Sequence, residues 1–237
     1  MSTLKNTIVN DTGFLTLPVG TTAQRPGSAA NGMMRYNSNT GAVEAYVGGS
    51  WRSVGIADDY ETINLVGNNG NLTINGNGTT TASAFKTQGN NRWDTQVYMT
   101  TGYTAPVTME FNKEAGAGDN SQSYAMISWN ADPASDASYS SLDYASYPFN
   151  TNAYHIYHNG SALLTSGAWS TAQKFYLVYA TNGFMYHYNG STLLYSVNYG
   201  TGATVYLDTS FYAPNGTYGG FSNIRIIKKA WNGTGYT

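Results

Sequence analysis

The sequence predicts an all-β protein built mainly from two stacked antiparallel sheets, and three observations carry that expectation. No stretch sustains a 3.6-residue apolar period, whereas short alternating runs bounded by Gly, Asn and Pro recur along the whole chain. Glycine (27) and tyrosine (21) are abundant, which suits tight turns between strands that carry half-buried rings. Asn-Gly pairs stand between alternating segments, and this is the strongest local hairpin signal because both turn positions accept positive φ.

Composition then excludes several function classes. Only 10% of the 237 residues are charged, against about 25% in an average domain, so neutral amides and hydroxyls must cover the surface. Eleven Lys+Arg against 13 Asp+Glu give a net charge of -2, which supplies no basic face for nucleic acid. The absence of cysteine removes disulfides, zinc–thiolate sites and thiol nucleophiles. The longest apolar runs, such as Phe175 to Ala180, fall far short of the roughly 20 residues of a membrane-spanning helix. The opening residues also lack the apolar stretch of a secretory signal.

Three regions follow one another. Residues 1–55 end in a small meander: residues 32–37 and 42–47 read as strands joined by a Ser-Asn-Thr-Gly turn, and Gly48-Gly49 leads into residues 50–54. Alternation places Met34 and Tyr36 on one face, and Val43, Ala45 and Val47 on one face of the next strand. So few strands make a poor core, so this module should lean on a neighbour or another copy. Residues 56–91 scatter Leu65, Leu72 and Ile74 among Gly and Asn, and read either as a connector or as a short fibre segment. Residues 92–237 hold ten candidate strands, enough for two antiparallel sheets.

Within the last region, His158-Asn-Gly-Ser-Ala-Leu-Leu-Thr-Ser166 parallels Tyr188-Asn-Gly-Ser-Thr-Leu-Leu-Tyr-Ser196. A two-residue turn would set Ile156 opposite Leu163 and Tyr186 opposite Leu193. Tyr154, Ile156 and Leu163 would then share one face, and His155, Tyr157 and Leu164 the other.

Two stretches resemble known families. Leu17-Pro-Val-Gly-Thr-Thr-Ala-Gln-Arg-Pro-Gly27, Gly32-Met-Met-Arg-Tyr-Asn37 and Glu44-Ala-Tyr-Val-Gly-Gly-Ser-Trp51 resemble a module of tailed-bacteriophage virion proteins, notably tail fibres of marine and cyanobacterial phages. The resemblance implies an N-terminal attachment or oligomerisation module carried by Leu17, Arg25, Pro26, Met34, Tyr36, Tyr46 and Trp51. It further implies other virion proteins as partners, a homo-oligomer with a trimer favoured, and a place on the virion exterior. Residues 107–111, 124–129, 175–179 and 219–226 resemble strands of a concanavalin A-like, laminin-G-like jelly roll, which implies a fold that often binds glycans and in some members cleaves them.

The candidate ligand site is the polar stretch after one strand, with Trp129, Asn130, Asp132, Asp136, Tyr139, Asp143 and Tyr144, because sugars call for flat rings and planar amide or carboxylate groups. A surface loop tied down by tyrosine hydrogen bonds is the competing reading. No cofactor is expected and no metal is assigned, although Asn130, Asp132 and Asp136 form a weak calcium alternative. No catalytic residue is assigned. Glu110 and Glu114 would share a strand face with Asn112 between them, but residues four apart on a strand lie about 13 Å apart, beyond glycosidase spacings of roughly 5–9.5 Å. His155, His158 and His187 all fall in hairpin strands, with His155 and His158 on opposite faces. The sequence thus points to a non-enzymatic virion protein, a tail fibre whose lectin-like tip recognises host-surface glycan, without membrane insertion. A capsid or tail decoration protein and a cell-wall glycan hydrolase are the alternatives.

Overall fold

In the computed structural model the described residues are 16–39, 41–54, 60–88, 92–117, 124–133, 136–150, 153–166, 169–212 and 218–237. The chain divides into two compact units, Met1–Asp58 and Asp59–Thr237.

The first unit is a four-stranded sheet of β1 (Val19–Gly20), β2 (Met34–Asn37), β3 (Ala42–Val47) and β4 (Ser50–Ser53), in that order, with β1 parallel to β2 and the rest antiparallel. Met34 pairs with Ala45 and Tyr36 with Val43, so the alternation expected from the sequence holds. The opposite face carries Arg35, Asn37 and Glu44, all buried. The Glu44 carboxylate receives Arg25 at 2.6 Å, Arg35 at 3.3 Å and the Asn37 amide at 3.1 Å. The hydrogen bond from Arg25 is the main reason its pKa lies below the usual range. Arg35 also donates to the carbonyls of Thr21 and Gln24, at 2.9 and 2.7 Å, which ties the short 3-10 turn Thr22–Gln24 onto the sheet. A charge network thus does here what a hydrophobic core would do in a larger unit. Val19, Met34, Tyr36 and Val47 stay exposed.

The second unit is a sandwich of two seven-stranded sheets. Its strands are β5 (Val66–Gly67), β6 (Leu72–Asn75), β7 (Ala82–Lys86), β8 (Val97–Tyr98), β9 (Val107–Ala117), β10 (Ala125–Asn130), β11 (Tyr144–Asn150), β12 (Ala153–His158), β13 (Ser161–Ser166), β14 (Lys174–Tyr179), β15 (Phe184–Asn189), β16 (Thr192–Asn198), β17 (Tyr206–Phe211) and β18 (Tyr218–Ile227). One sheet has the order β13-β12-β11-β10-β17-β8-β5, and the other β16-β15-β14-β9-β18-β7-β6. This is the all-β jelly roll that the sequence predicts.

The core lies between the sheets. Phe175 stacks on Phe111 at 5.6 Å and on Tyr154 of the opposite sheet at 5.1 Å, while Phe221 meets Phe111 edge-on at 5.3 Å. Each fully buried ring of this kind stabilises by about 1.5–3 kcal/mol. Trp129 is fully buried, and its indole N–H donates across the sandwich to the Leu177 carbonyl at 3.0 Å.

Residues 60–88, the described part of 56–91, do not form a connector. Among the described part, β5, β6 and β7 complete the two sheets: β7 pairs with β18, and Ile63, Leu65, Ala82 and Ala84 are buried while Leu72 and Ile74 pack on the core. The scattered apolar residues suffice because an existing sheet supplies the other side. The Asn77 amide holds Leu65 through both its N–H and its C=O at 2.8 Å. Gly76 turns the chain at φ 80°, where a Cβ would lie 2.1 Å from the Thr81 carbonyl.

The hairpin register also differs from expectation. Asn159 and Gly160 take φ of 44° and 75°, as the Asn-Gly turn requires. A bulge, however, sets Ile156 opposite Leu164 and Tyr157 opposite Ala162, which turns Leu164 toward the core and leaves Leu163 exposed. The second hairpin differs: it turns at Gly190, with φ 58°, and Ser191, setting Asn189 opposite Thr192 and Tyr188 opposite Leu193, and its bulge at Leu194 sets His187 opposite Tyr195 and Tyr186 opposite Ser196. In the first repeat one extra residue in the strand lets the second leucine, Leu164, reach the core; in the second, Leu194 packs on the core by alternation beside the outward Leu193.

Lys113 is fully buried; it donates to the Ala125 carbonyl and lies 4.4 Å from the centre of the Phe221 ring. Among the described residues no carboxylate pairs with it, and burial pushes its pKa well below 10.5. The unfolded chain therefore holds this proton more tightly than the folded one, so the amine costs stability that is regained only as pH rises toward 10.5. Replacing it with an apolar side chain of similar length should remove that cost. Lys113→Met is expected to raise the melting temperature at pH 7 by several degrees. Thermal melts between pH 6 and 9 should show a rise of wild-type stability with pH, relative to the variant; a variant that melts lower at every pH would contradict this.

Candidate functional site

The sandwich's outward faces follow from its core. On β10, Ile127 and Trp129 point inward, so Met126, Ser128 and Asn130 point out. On β11 and β12, Tyr154 and Ile156 are buried in the core, while the outward positions pair Tyr147 with His155 and Ala145 with Tyr157. Three further aromatic side chains, Trp93, Tyr124 just before β10 and Tyr212 just after β17, close in around this patch.

The result is a closed circle of rings. Trp93 meets Tyr139 (5.2 Å), Tyr139 meets Tyr157 (6.1 Å), and Tyr157 meets His155 (6.2 Å). His155 then meets Phe149 (6.2 Å), Phe149 meets Tyr124 (5.0 Å), Tyr124 meets Tyr212 (5.6 Å), and Tyr212 returns to Trp93 (5.4 Å). Every rim residue is half-buried, and Tyr147 and Met126 form the floor. The basin encloses about 320 Å3. No Asp, Glu, Lys or Arg lines it, and burial lowers the His155 pKa below 6.5, so its lining is uncharged at neutral pH. The His155 ring holds the Thr165 hydroxyl at 3.0 Å through Nδ1.

Tyr139 reaches the rim from a 3-10 turn, Tyr139–Ser141, capped by Ser138. Asp136 accepts from the Ser138 N–H (2.7 Å) and the Ser141 hydroxyl (2.8 Å). Beneath the turn, Asn130 donates to the Ser141 carbonyl and to Asp208, and accepts from the Asp143 N–H. Asp208 is itself fully buried and accepts from Gln96 (2.8 Å) and the Thr209 N–H (2.7 Å). Desolvation pushes its pKa up to about 8, against these hydrogen bonds.

Of the seven residues expected to bind glycan, the structure therefore brings only Tyr139 to the basin. Trp129 and Tyr144 belong to the core, Tyr144 stacking on His158 at 4.6 Å. Asn130 is consumed by the network under the turn, Asp136 by the turn itself, and Asp143 by the Ala131 N–H and the Tyr199 hydroxyl. Asp132 is exposed. The stretch is not one long loop either, since β11 begins at Tyr144. Among the described residues no group of three acidic or histidine side chains is placed to hold a metal ion, and the Asn130 amide is spoken for. His187 is buried with its pKa pushed down to about 3, and His155 and His158 face opposite sides as expected.

Glu110 is a structural anion: Lys174 lies at 3.1 Å, Arg225 at 3.6 Å, and the Tyr236 hydroxyl donates to it at 2.8 Å. Glu114 accepts from the Ser222 hydroxyl. Of the expected attachment residues, Arg25 is bound to Glu44, Met34, Tyr36 and Pro26 are exposed, and Leu17, Tyr46 and Trp51 are half-buried, Tyr46 and Trp51 meeting edge-on at 5.5 Å.

No family model matches the sequence, and no curated protein matches it either. Similar solved structures exist. They include the SPRY domain of human HERC1 (15% identity, 60% of this chain and 87% of that one, TM-score 0.43). The VIP36 exoplasmic/lumenal domain in its Ca2+/Man3GlcNAc-bound form is another (8%, 73% and 85%, 0.43). The Lotus tetragonolobus seed lectin is a third (10%, 67% and 93%, 0.42). At such identities the chemistry of the basin has to be read from its own side chains.

Asp208 offers a direct check on the network that places Tyr139. Its pKa is raised from 3.8 to about 8, so its contribution to stability is fully present below 3.8 and lost as pH rises through 8. Relative to Asp208→Asn, wild-type protein should lose several degrees of melting temperature between pH 5 and pH 8. Parallel pH profiles for the two proteins would show that the carboxyl is not desolvated.

Proposed function

We propose that this chain is a non-enzymatic carbohydrate-binding protein whose jelly roll holds uncharged glycan in the aromatic basin. One observation carries this reading: seven rings form an uncharged, half-exposed rim around a concave floor. Sugar rings offer apolar C–H faces edged by hydroxyls. Such faces stack on aromatic surface, while tyrosine hydroxyls and the neutral imidazole take the sugar hydroxyls. A charged ligand would lose hydration there without gaining a countercharge.

The module resemblance of residues 15–54 extends the proposal. The chain would be a tail fibre or fibre-like appendage on the exterior of a phage virion, attached to other virion proteins and oligomerised through its first unit, with a host-surface glycan as its target. The exposed Val19, Met34, Tyr36 and Val47 supply apolar surface for such contacts. Weak sites repeated on one particle would act by avidity, which adds about 10²–10⁴ to apparent affinity.

A decoration protein would share the first unit but give the basin no ligand, so binding measurements separate the two roles. Full-length protein should bind neutral glycans on a printed array. Trp93→Ala and Tyr157→Ala should each weaken that binding tenfold or more, about 1.4 kcal/mol, with unchanged circular dichroism. Trp129→Ala should instead lower stability by about 3–5 kcal/mol, as for other buried aromatics. Failure of the wild type to bind any neutral glycan would overturn the proposal.

A further inference from the structure

The opposite sheet carries a second, differently built cavity. On its outer face β14 and β15 set Val178 beside Tyr186 and Tyr176 beside Tyr188. The segment after β18 folds back across this face. Ala230 and Thr237 exchange two backbone hydrogen bonds at 2.9 Å, and Trp231 stacks on Tyr176 at 4.4 Å with its indole N–H on the Gly190 carbonyl. Between this hairpin-like segment and β15 lies a cavity of about 350 Å3, walled by Tyr186, Tyr188, Trp231, Asn182 and Asn232.

Its polar groups are oriented. The Tyr186 hydroxyl accepts from the Asn182 amide at 2.8 Å, and the Asn182 carbonyl oxygen is fixed by the Phe184 N–H at 3.1 Å. The hydroxyl's own proton is thereby directed away from Asn182. Asn232 uses its Oδ1 to accept from the Thr234 N–H, the Thr234 hydroxyl and the Gly235 N–H at 2.9–3.0 Å, which turns its amide N–H groups outward. No Asp, Glu, Lys, Arg or His lines the cavity. The lining, which includes Thr237, thus offers donors and flat apolar surface but no cationic side chain, which suits an uncharged occupant that presents acceptor oxygens.

We propose that this cavity is a second saccharide site, which makes one sandwich bivalent for neutral glycan. It uses none of the residues of the basin, so the two sites stand or fall separately. Donors held by other side chains lose little conformational freedom on binding, and this favours a small ligand in an open cavity.

Calorimetric titration of the full chain with the neutral tetrasaccharides of glucose, N-acetylglucosamine, mannose and galactose tests this, with inorganic phosphate as an anionic probe. The expected result is two sites per chain for at least one saccharide. Tyr186→Phe keeps the ring and removes the hydroxyl. It should weaken one site about tenfold, and Tyr186→Phe with Asn232→Ala should abolish it, while Trp93→Ala removes only the other. Two sites reduced to one by Trp93→Ala but untouched by the Tyr186 and Asn232 variants would overturn the inference. So would a single site lost with Trp93→Ala, and that result would leave the basin's role standing. A single site lost with Tyr186→Phe alone would support the inference and overturn the basin's role. No binding of any saccharide, or tight phosphate binding lost with Tyr186→Phe, would also overturn it.

Discussion

The contact on which the rest of the second unit depends is the packing of rings between the two sheets. Phe111, Phe175 and Phe221 on one sheet meet Tyr154 on the other, and the Trp129 indole crosses to the Leu177 carbonyl. Once those side chains point inward, strand alternation leaves no choice about their neighbours. Tyr147, His155 and Tyr157 must point away from the core on one side, and Tyr186 and Tyr188 on the other. The same rule that builds the core therefore lays out both outer aromatic surfaces. The bulge in the Asn159-Gly160 hairpin serves this end, because it returns Leu164 to the core without flipping Tyr157 before it.

Charge is scarce, and the structure uses much of it internally. Arg35 and Glu44 are buried in the first unit; Lys86, Glu110, Lys113 and Asp208 are buried in the second. Lys86 reaches Asp94 at 3.1 Å, Glu110 has Lys174 and Arg225, and Glu44 has two arginines, so these ions are paired and hydrogen-bonded. Lys113 and Asp208 depart from that rule and titrate abnormally because burial penalises their charged forms. A surface already poor in charge is left poorer still, and no Asp, Glu, Lys or Arg side chain lines either aromatic cavity. That neutrality bears on ligand choice: it favours sugars read by stacking and hydrogen bonds over acidic ligands read by ion pairs.

Local pattern made the strands, the Asn-Gly turns and the faces of the first sheet legible. Met34 beside Tyr36 and Val43 beside Ala45 needed only a period of two. Longer-range consequences were hidden. Leu65, Leu72 and Ile74 look too sparse for a sheet until β18 and the core supply the other wall. Trp129 and Asp143 look like ligand groups because they sit in a polar stretch, yet one completes the core and the other holds the Ala131 N–H and the Tyr199 hydroxyl. Tyr139 in the polar stretch and the aromatic alternation of Tyr147, His155 and Tyr157 were the local traces of the basin. Trp93 and Tyr212 leave none, since their neighbours in sequence are not their neighbours in the basin, whereas Tyr124 stands two places before the floor residue Met126.

The sequence by itself determined the all-β class, the low-charge surface, the exclusion of thiol chemistry and most turn positions, because these depend on composition and on residues within a few places of one another. Only the tertiary structure decided which aromatic residues fill the core and which ring the basin. That choice is a competition for inward positions between segments far apart in the chain. It is settled by how two whole sheets pack and by where a single extra residue shifts the register.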